Sequence, residues 1–129
     1  MTSRLKSVYL ELWNRAEWTA IATSGKDGPH VVGTWGEHLR ALNRELAHVV
    51  VVPAGGFRET EENLKRNPRI EVLIASRQVA GGHGRGQGCS LFGTGEVQTS
   101  GPHADRAKQM FPWARGALVI KIEEAKLQL

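Results

Sequence analysis

The run Leu46-Ala47-His48-Val49-Val50-Val51-Val52 constrains this chain most, because it is almost unbroken in apolar, largely β-branched side chains and stops at Pro53-Ala54-Gly55-Gly56. Branching at Cβ favours extended backbone, and a strand without polar alternation has no face to give to water. The segment is expected to be a strand buried on both faces. Whatever covers it must come from a chain of 129 residues and 14.2 kDa, which suits one domain spanning 1–129 around one core.

The rest of the pattern is mostly strands joined by turns. Leu5, Val8, Tyr9, Leu12 and Trp13 recur at helical spacing, with Thr2 or Ser3 as a cap, and predict an amphipathic first helix. Trp18 to Thr23 is rich in strand formers, Ser24-Gly25-Lys26-Asp27-Gly28-Pro29 supplies turn residues, and His30 to Trp35 returns as the second arm of a hairpin. Thr60 opens a short helix over Glu61 to Arg66 that Asn67-Pro68 ends. Ile70 to Ala75 alternates as a strand, and the five glycines from Gly81 to Gly88 predict a mobile loop. Leu91 to Thr99 alternates again, with Gly93 and Gly95 on one face where a barrel strand would bend. Pro102 begins a helix running through Met110, and Leu118 to Glu123 is the last strand. About six strands and three short flanking helices, connected by hairpins rather than βαβ units, predict a mainly β protein closed as an antiparallel barrel.

Composition excludes more than it identifies. With 40% hydrophobic and 23% charged residues and no long apolar run, the chain reads as a soluble protein with no membrane partner. A single cysteine, Cys89, forms no intrachain disulfide, which suits the cytoplasm. The net charge of +4 and pI near 9.6 favour an anionic partner. The basic residues are scattered and aromatics are few, which argues against nucleic acid. A cofactor-free basic barrel binding nucleic acid is nevertheless the reading that the charge supports as an alternative.

Several motifs bear on chemistry. The glycine stretch has neither the dinucleotide nor the P-loop spacing. Gly55-Gly56-Phe57-Arg58-Glu59-Thr60 joins a strand end to a helix start, where backbone N–H groups and the helix dipole favour an anion; Arg58 and Thr60 would add donors. Ser76-Arg77 ends the next strand and would bring a second guanidinium if that strand lay beside Val49 to Val52. His30, His38, His48, His83 and His103 show no metal-ligand spacing, and no metal is expected. Cys89 reads as a buried small hydrophobe, the four tryptophans as core, and no residue as a catalytic nucleophile or general base.

Ala20-Ile21-Ala22-Thr23, Asp27-Gly28-Pro29-His30, Thr34-Trp35, Val52-Pro53-Ala54-Gly55-Gly56, Thr60-Glu61, Ser76-Arg77, Val79-Ala80-Gly81, Trp113-Ala114-Arg115 and Ala117-Leu118-Val119-Ile120 follow one another in an order that resembles the pyridoxamine 5'-phosphate oxidase-like FMN-binding split β-barrel family. The resemblance covers nearly the whole chain and is weakest in the first helix. It implies a split barrel, noncovalent FMN, and a homodimer with FMN at the subunit interface. It also implies electron transfer or flavin-dependent oxidoreduction with an unidentified redox partner. Thr34 and Trp35 would lie along the isoalloxazine, with Trp113 flanking it. Gly55, Gly56, Arg58 and Thr60 would line the phosphate end. Ser76 and Arg77 match a Ser-Arg-Lys phosphate motif, in which Gln78 replaces the lysine. Leu129 would reach the flavin of the partner subunit. Glu59 replaces a basic residue near a phosphate that carries roughly −1.5 to −2 charges, so it must face away or weaken binding, and His38 replaces an aromatic near the ring. Relatives with haem or deazaflavin F420 make those ligands the alternatives. The chain ends soon after its last strand, without the arginine-containing segment that holds substrate in pyridoxamine phosphate oxidases, and that reaction is not expected.

Overall fold

In a computed structural model that describes residues 7–129, the elements run α1 (Ser7–Arg15), β1 (Trp18–Gly25), β2 (Gly28–Trp35), α2 (Gly36–Leu42), β3 (Val49–Ala54), α3 (Arg58–Arg66), β4 (Arg69–Gly81), β5 (Gly84–Gln98), α4 (Pro102–Met110) and β6 (Gly116–Leu127). The six strands form one antiparallel sheet in the order β2-β1-β4-β5-β6-β3, curled into a half-barrel. Four short helices flank it instead of three. The additional one, α2, has seven residues and no side-chain cap, so it carried no start signal. Of the first-helix pattern, Tyr9, Leu12 and Trp13 are buried as expected, whereas Leu5 and the cap at Thr2 or Ser3 lie outside the described residues.

The β3 segment is an edge strand, paired only with β6, yet its residues from Val50 to Ala54 are all buried. Val50 and Val52 point into the barrel among Leu12, Ile21, Val72, Ile74, Leu91, Leu118 and Ile120. Val51 points the other way, into a second apolar cluster with Leu42 of α2, Ala107 of α4, Ala114, Ala117 and Val119. Burial on both faces therefore holds, and α2 and α4 supply the outer cover. The strand starts at Val49 rather than Leu46 and continues through Pro53, which an edge strand tolerates because one side of its backbone has no ladder to feed.

That unpaired side is satisfied by a side chain. Asn43, buried at the end of α2, donates from Nδ2 to the Val51 carbonyl at 2.7 Å and accepts the Val51 N–H on Oδ1 at 2.8 Å. One carboxamide thus stands in for a neighbouring strand at the centre of the edge.

The glycine stretch is a hairpin rather than a mobile loop. β4 continues to Gly81 and β5 begins at Gly84, leaving Gly82 and His83 at the tip. Gly84 and Gly86 have φ of 137° and 107°, values that suit glycine, so residues that suggested looseness instead permit a tight turn. Gly93 marks the expected bend: the β5–β6 register shifts between Phe92 and Gly93, and a Cβ at Gly93 would sit 1.8 Å from the Lys121 carbonyl oxygen.

The outward face of β1, β2 and β4 differs in character. Trp18 pairs with Trp35, Ala22 with Val31 and Ala20 with Leu73, all on one face, and Trp18, Val31, Trp35 and Leu73 are each at least two-fifths exposed. No helix among the described residues is long and apolar enough to cross a membrane.

Replacing Asn43 by leucine leaves a buried N–H and C=O without partners. Asn43→Leu is expected to lower unfolding stability by about 2–4 kcal/mol, measured by denaturant titration; a loss under about 0.5 kcal/mol would show that Val51 finds water instead.

Candidate functional site

The connection from β3 to α3 carries the most unusual backbone in the fold. Phe57 has φ 54° and ψ 26°, the one non-glycine residue with positive φ among the described residues. A left-handed conformation costs a bulky residue on the order of 1–3 kcal/mol and persists only where its surroundings impose it. Here Phe57 packs its ring against the barrel core, and helix α3 begins at the next residue. A left-handed residue followed by helical ones turns successive N–H groups toward a common point, which makes a concave donor site for an anion.

Among the described residues no side chain caps those donors. Phe57 makes no side-chain cap bond, so the first-turn N–H groups, lacking intrahelical acceptors, face outward together with the positive end of the helix dipole. Thr60, expected to open the helix, instead lies inside its first turn, since α3 starts two residues earlier at Arg58. Its side chain is fully buried and Oγ1 has no hydrogen-bond partner. A Cβ at Gly56 would meet nothing within 4 Å, so that side of the turn is open, whereas one at Gly55 would lie 2.9 Å from the Trp113 ring.

Arg115 holds the turn in this shape. Its Nε donates to the carbonyls of both Gly55 and Gly56 at 3.0 Å, its Nη2 donates to Glu61 Oε1 at 2.8 Å, and its own N–H donates to the Ala54 carbonyl at 2.8 Å. Both partners of the Arg115–Glu61 pair are about one-fifth exposed. Drawing the two glycine carbonyls toward β6 leaves the opposite side of the turn to its N–H groups. The motif Trp113-Ala114-Arg115 is visible in the sequence, but the partnership with Glu61, 54 positions away, is not.

Charge around the turn is arranged rather than simply reduced. Glu59 faces away: its Oε2 lies 2.6 Å from Nδ1 of His30 on β2. Arg58 is exposed at the first position of α3 and lines a cleft of about 520 Å³ whose charged lining is mixed: Lys26, His30 and Arg66 together with Asp27, Glu59 and Glu62. With Glu61 committed to Arg115, both acidic residues of the first turn have a partner.

An aromatic group adjoins the glycine turn. His38 of α2 lies 4.8 Å from Phe111 and 5.6 Å from Trp113, ring centre to ring centre, and Phe111 and Trp113 are 5.3 Å apart. Trp113 is half exposed over Gly55. The structure therefore brings Gly55, Gly56, Arg58, Thr60 and Trp113 into one region. Thr34 and Trp35 end β2 and lead directly into α2, which carries His38. Trp35 meets Trp18 edge-on at 4.7 Å, and Trp18 lies flat over Gly33. Of the four tryptophans read as core, only Trp13 is.

The remaining predicted residues lie elsewhere in the chain. β4 does not sit beside β3, because β5 and β6 intervene, so the expectation that Arg77 shares an anion with Arg58 through adjacent strands is not met. α3 bonds β1 at Thr23, opposite Ile70 on β4, whereas Ser76, Arg77 and Gln78 are at the other end of β4. There Ser76 Oγ accepts the Gln78 N–H at 3.1 Å, and Gln78 Oε1 accepts from Arg15 of α1 at 2.9 Å. A guanidinium thus arrives where Gln78 replaces a lysine. Leu129 is bonded to Gln87 in the β4–β5 hairpin.

Cys89 is fully buried, and burial pushes its thiol up to about 12. The thiolate is the reactive form, so this sulfur is inert in the folded protein. Among the described residues no cluster of three histidine, cysteine or acidic side chains is placed to hold a metal.

No protein-family model matches the chain. It is 39% identical over 125 residues to the FMN-binding protein of Nitratidesulfovibrio vulgaris, covering 97% of this chain and 99% of that one. Among solved structures it resembles HupZ of Group A Streptococcus, with a TM-score of 0.75 at 18% identity over 97% of this chain and 100% of the other. A pyridoxamine 5'-phosphate oxidase-like structure from Lactobacillus delbrueckii gives 0.69 at 20% identity over 97% and 95%. At these identities the two structures show the fold.

Arg115→Met removes the partners of two carbonyls and a carboxylate. It is expected to lower stability by about 1–3 kcal/mol and to speed amide exchange at Gly56 and Phe57, both readable on one sample. The native protein is expected to leave Ellman's reagent unreacted at neutral pH. Because the folded thiol titrates above its unfolded value of about 8.5, its contribution to stability is complete below that pH and is lost as pH rises toward about 12. Prompt thiol reaction in the folded state would contradict the burial.

Proposed function

The chain belongs to the pyridoxamine 5'-phosphate oxidase-like FMN-binding split-barrel family, and from that premise we propose that it binds FMN noncovalently as a cytoplasmic homodimer. The observation that carries this reading is the turn Gly55-Gly56-Phe57 with the fully buried, unpartnered Thr60 hydroxyl behind it. That turn suits a phosphate monoester: it offers converging N–H groups, a hydroxyl and the Arg58 guanidinium, and it has no cap of its own.

In this reading Gly55, Gly56, Arg58 and Thr60 hold the phosphate, Thr34, Trp35 and Trp113 lie along the ring system, and His38 packs behind Trp113. FMN, when bound, supplies the redox chemistry; the protein binds it, orients it and excludes water from part of its surface. We assign no catalytic acid, base or nucleophile, and the inert Cys89 agrees with that. The function is electron transfer or flavin-dependent oxidoreduction with a redox partner still to be identified, and pyridoxamine phosphate oxidation is not assigned.

The placement of the remaining residues supports a second copy. Ser76, Arg77, Gln78 and Leu129 are away from the glycine turn of their own protomer, so a partner would have to bring them to a flavin. The apolar outward face of Trp18, Val31, Trp35 and Leu73 suits that partner being another copy of this chain, since exposed apolar area of this kind favours association.

Purified protein is expected to be yellow and to release FMN on heating, and light scattering is expected to give the mass of a dimer. A colourless protein that takes up no added FMN, or one with a haem spectrum, would overturn the reading. Arg58→Ala and Thr60→Val are each expected to weaken FMN binding by about 1.5–3 kcal/mol, the range for a hydrogen bond to a charged group. They should leave riboflavin, which has no phosphate, nearly unaffected. Equal losses for the two ligands would move the phosphate away from this turn. Arg77→Ala gives the same comparison for the other end of the site.

A further inference from the structure

We propose that Gln87 is the positioning residue for Leu129, so that the glycine-rich hairpin serves as the holder of the segment after β6. The inference rests on the reading above in which Leu129 reaches a partner's flavin.

The bonds are these. Gln87 is 5% exposed. Its Oε1 accepts the Leu129 N–H at 2.7 Å and the adjoining Gly88 N–H at 2.9 Å, while its Nε2 donates to the Leu129 carbonyl oxygen. One residue earlier, the Gln128 N–H donates to the Gly88 carbonyl at 2.8 Å. The Gln128 Nε2 donates at 2.6 Å to Ser90 Oγ, whose own hydroxyl donates at 2.9 Å to Glu71 on β4. β6 ends at Leu127, opposite Cys89, but pairing along β5 continues past it, first through backbone and then through a side-chain amide.

Both ends of the Leu129 backbone are therefore fixed, yet the residue is 63% exposed. An apolar side chain held in place by its backbone and still facing outward has little conformational freedom left to lose on contact with a second surface. The hairpin glycines permit this closeness: Gly82 at the tip lies against the Leu129 backbone, 3.7 Å from where its Cβ would be. Only a carboxamide offers donor and acceptor in the geometry of a peptide group without charge, so glutamine is the residue of sufficient length for the task.

The test uses the full chain loaded with FMN. In Gln87→Leu the Leu129 amide is expected to exchange with solvent roughly tenfold faster, the equivalent of about 1.4 kcal/mol, while the Val72 and Ile74 amides of β4 keep their protection. Gln87→Leu and Leu129→Ala are each expected to speed FMN release by a similar factor, and the double variant to be no faster than either one, because both remove the same contact. Gln87→Glu keeps an acceptor for the Leu129 N–H but sets a carboxylate oxygen against the Leu129 oxygen, and should free Leu129 at least as much as Gln87→Leu; it replaces Gln87→Leu if that variant does not fold. Unchanged Leu129 exchange, or release rates that multiply in the double variant, overturns the proposal. If the wild-type chain binds no FMN, the functional reading fails, and the exchange comparison alone decides whether Gln87 holds the segment.

Discussion

An antiparallel sheet that does not close on itself leaves two rows of backbone donors and acceptors, and managing them shapes this molecule more than any single apolar contact. At the β3 edge the solution is Asn43, whose carboxamide takes both backbone groups of Val51. That bond ties the end of α2 to the strand and lets α2 and α4 cover the outer face, which is why a run of valines at a sheet edge can be buried on both sides. Gln87 repeats the device at Leu129. At Val51 the amide stands in for an absent strand and at Leu129 it prolongs the pairing of β5, and in both cases what it anchors carries a residue of interest: His38 on α2, and Leu129 itself.

The β3 edge also explains where the anion turn lies. A strand bonded on one side only can stop abruptly, and β3 stops at Ala54 with its last carbonyl taken by the Arg115 N–H. Arg115 then draws in the next two carbonyls, and the chain reverses through Phe57, whose partly buried ring packs against the core. The strain of that residue, the exposed N–H groups and the orphan Thr60 hydroxyl are consequences of one arrangement. An anion in the turn would take up the exposed N–H groups.

Much of this was legible from local pattern. Period-two alternation located β4, β5 and β6, the Ser24 to Pro29 turn located the first hairpin, and Gly93 marked a real bend. What local pattern misjudged was the glycine stretch, because glycine signals freedom in an isolated segment and tight φ-positive geometry once two strands flank it. It missed α2, which is short and uncapped, and it opened α3 at Thr60 because a threonine before acidic residues looks like a cap whether or not its hydroxyl is buried. The bonds that organise the site were not legible at all. Glu61 with Arg115 and Gln87 with Leu129 are separated by 54 and 42 positions, and nothing in either residue's neighbours announces the other.

Net charge illustrates the same limit. The count of +4 favoured an anionic partner, whereas a glutamate in place of a basic residue at position 59 had either to face away or to weaken binding. The fold turns Glu59 toward His30 and gives Glu61 to Arg115, so both acidic residues of the first turn have a partner. The helix dipole then acts at the turn, while Arg58 shares its cleft with Asp27, Glu59 and Glu62. If the two chains of a dimer complete each site, this has a thermodynamic corollary. Cofactor bound at the interface favours the associated form by mass action, and association in turn raises cofactor affinity by the same factor, because linkage between two equilibria is reciprocal. Residues that fix Leu129 would then act on both equilibria at once, although none of them need touch the flavin.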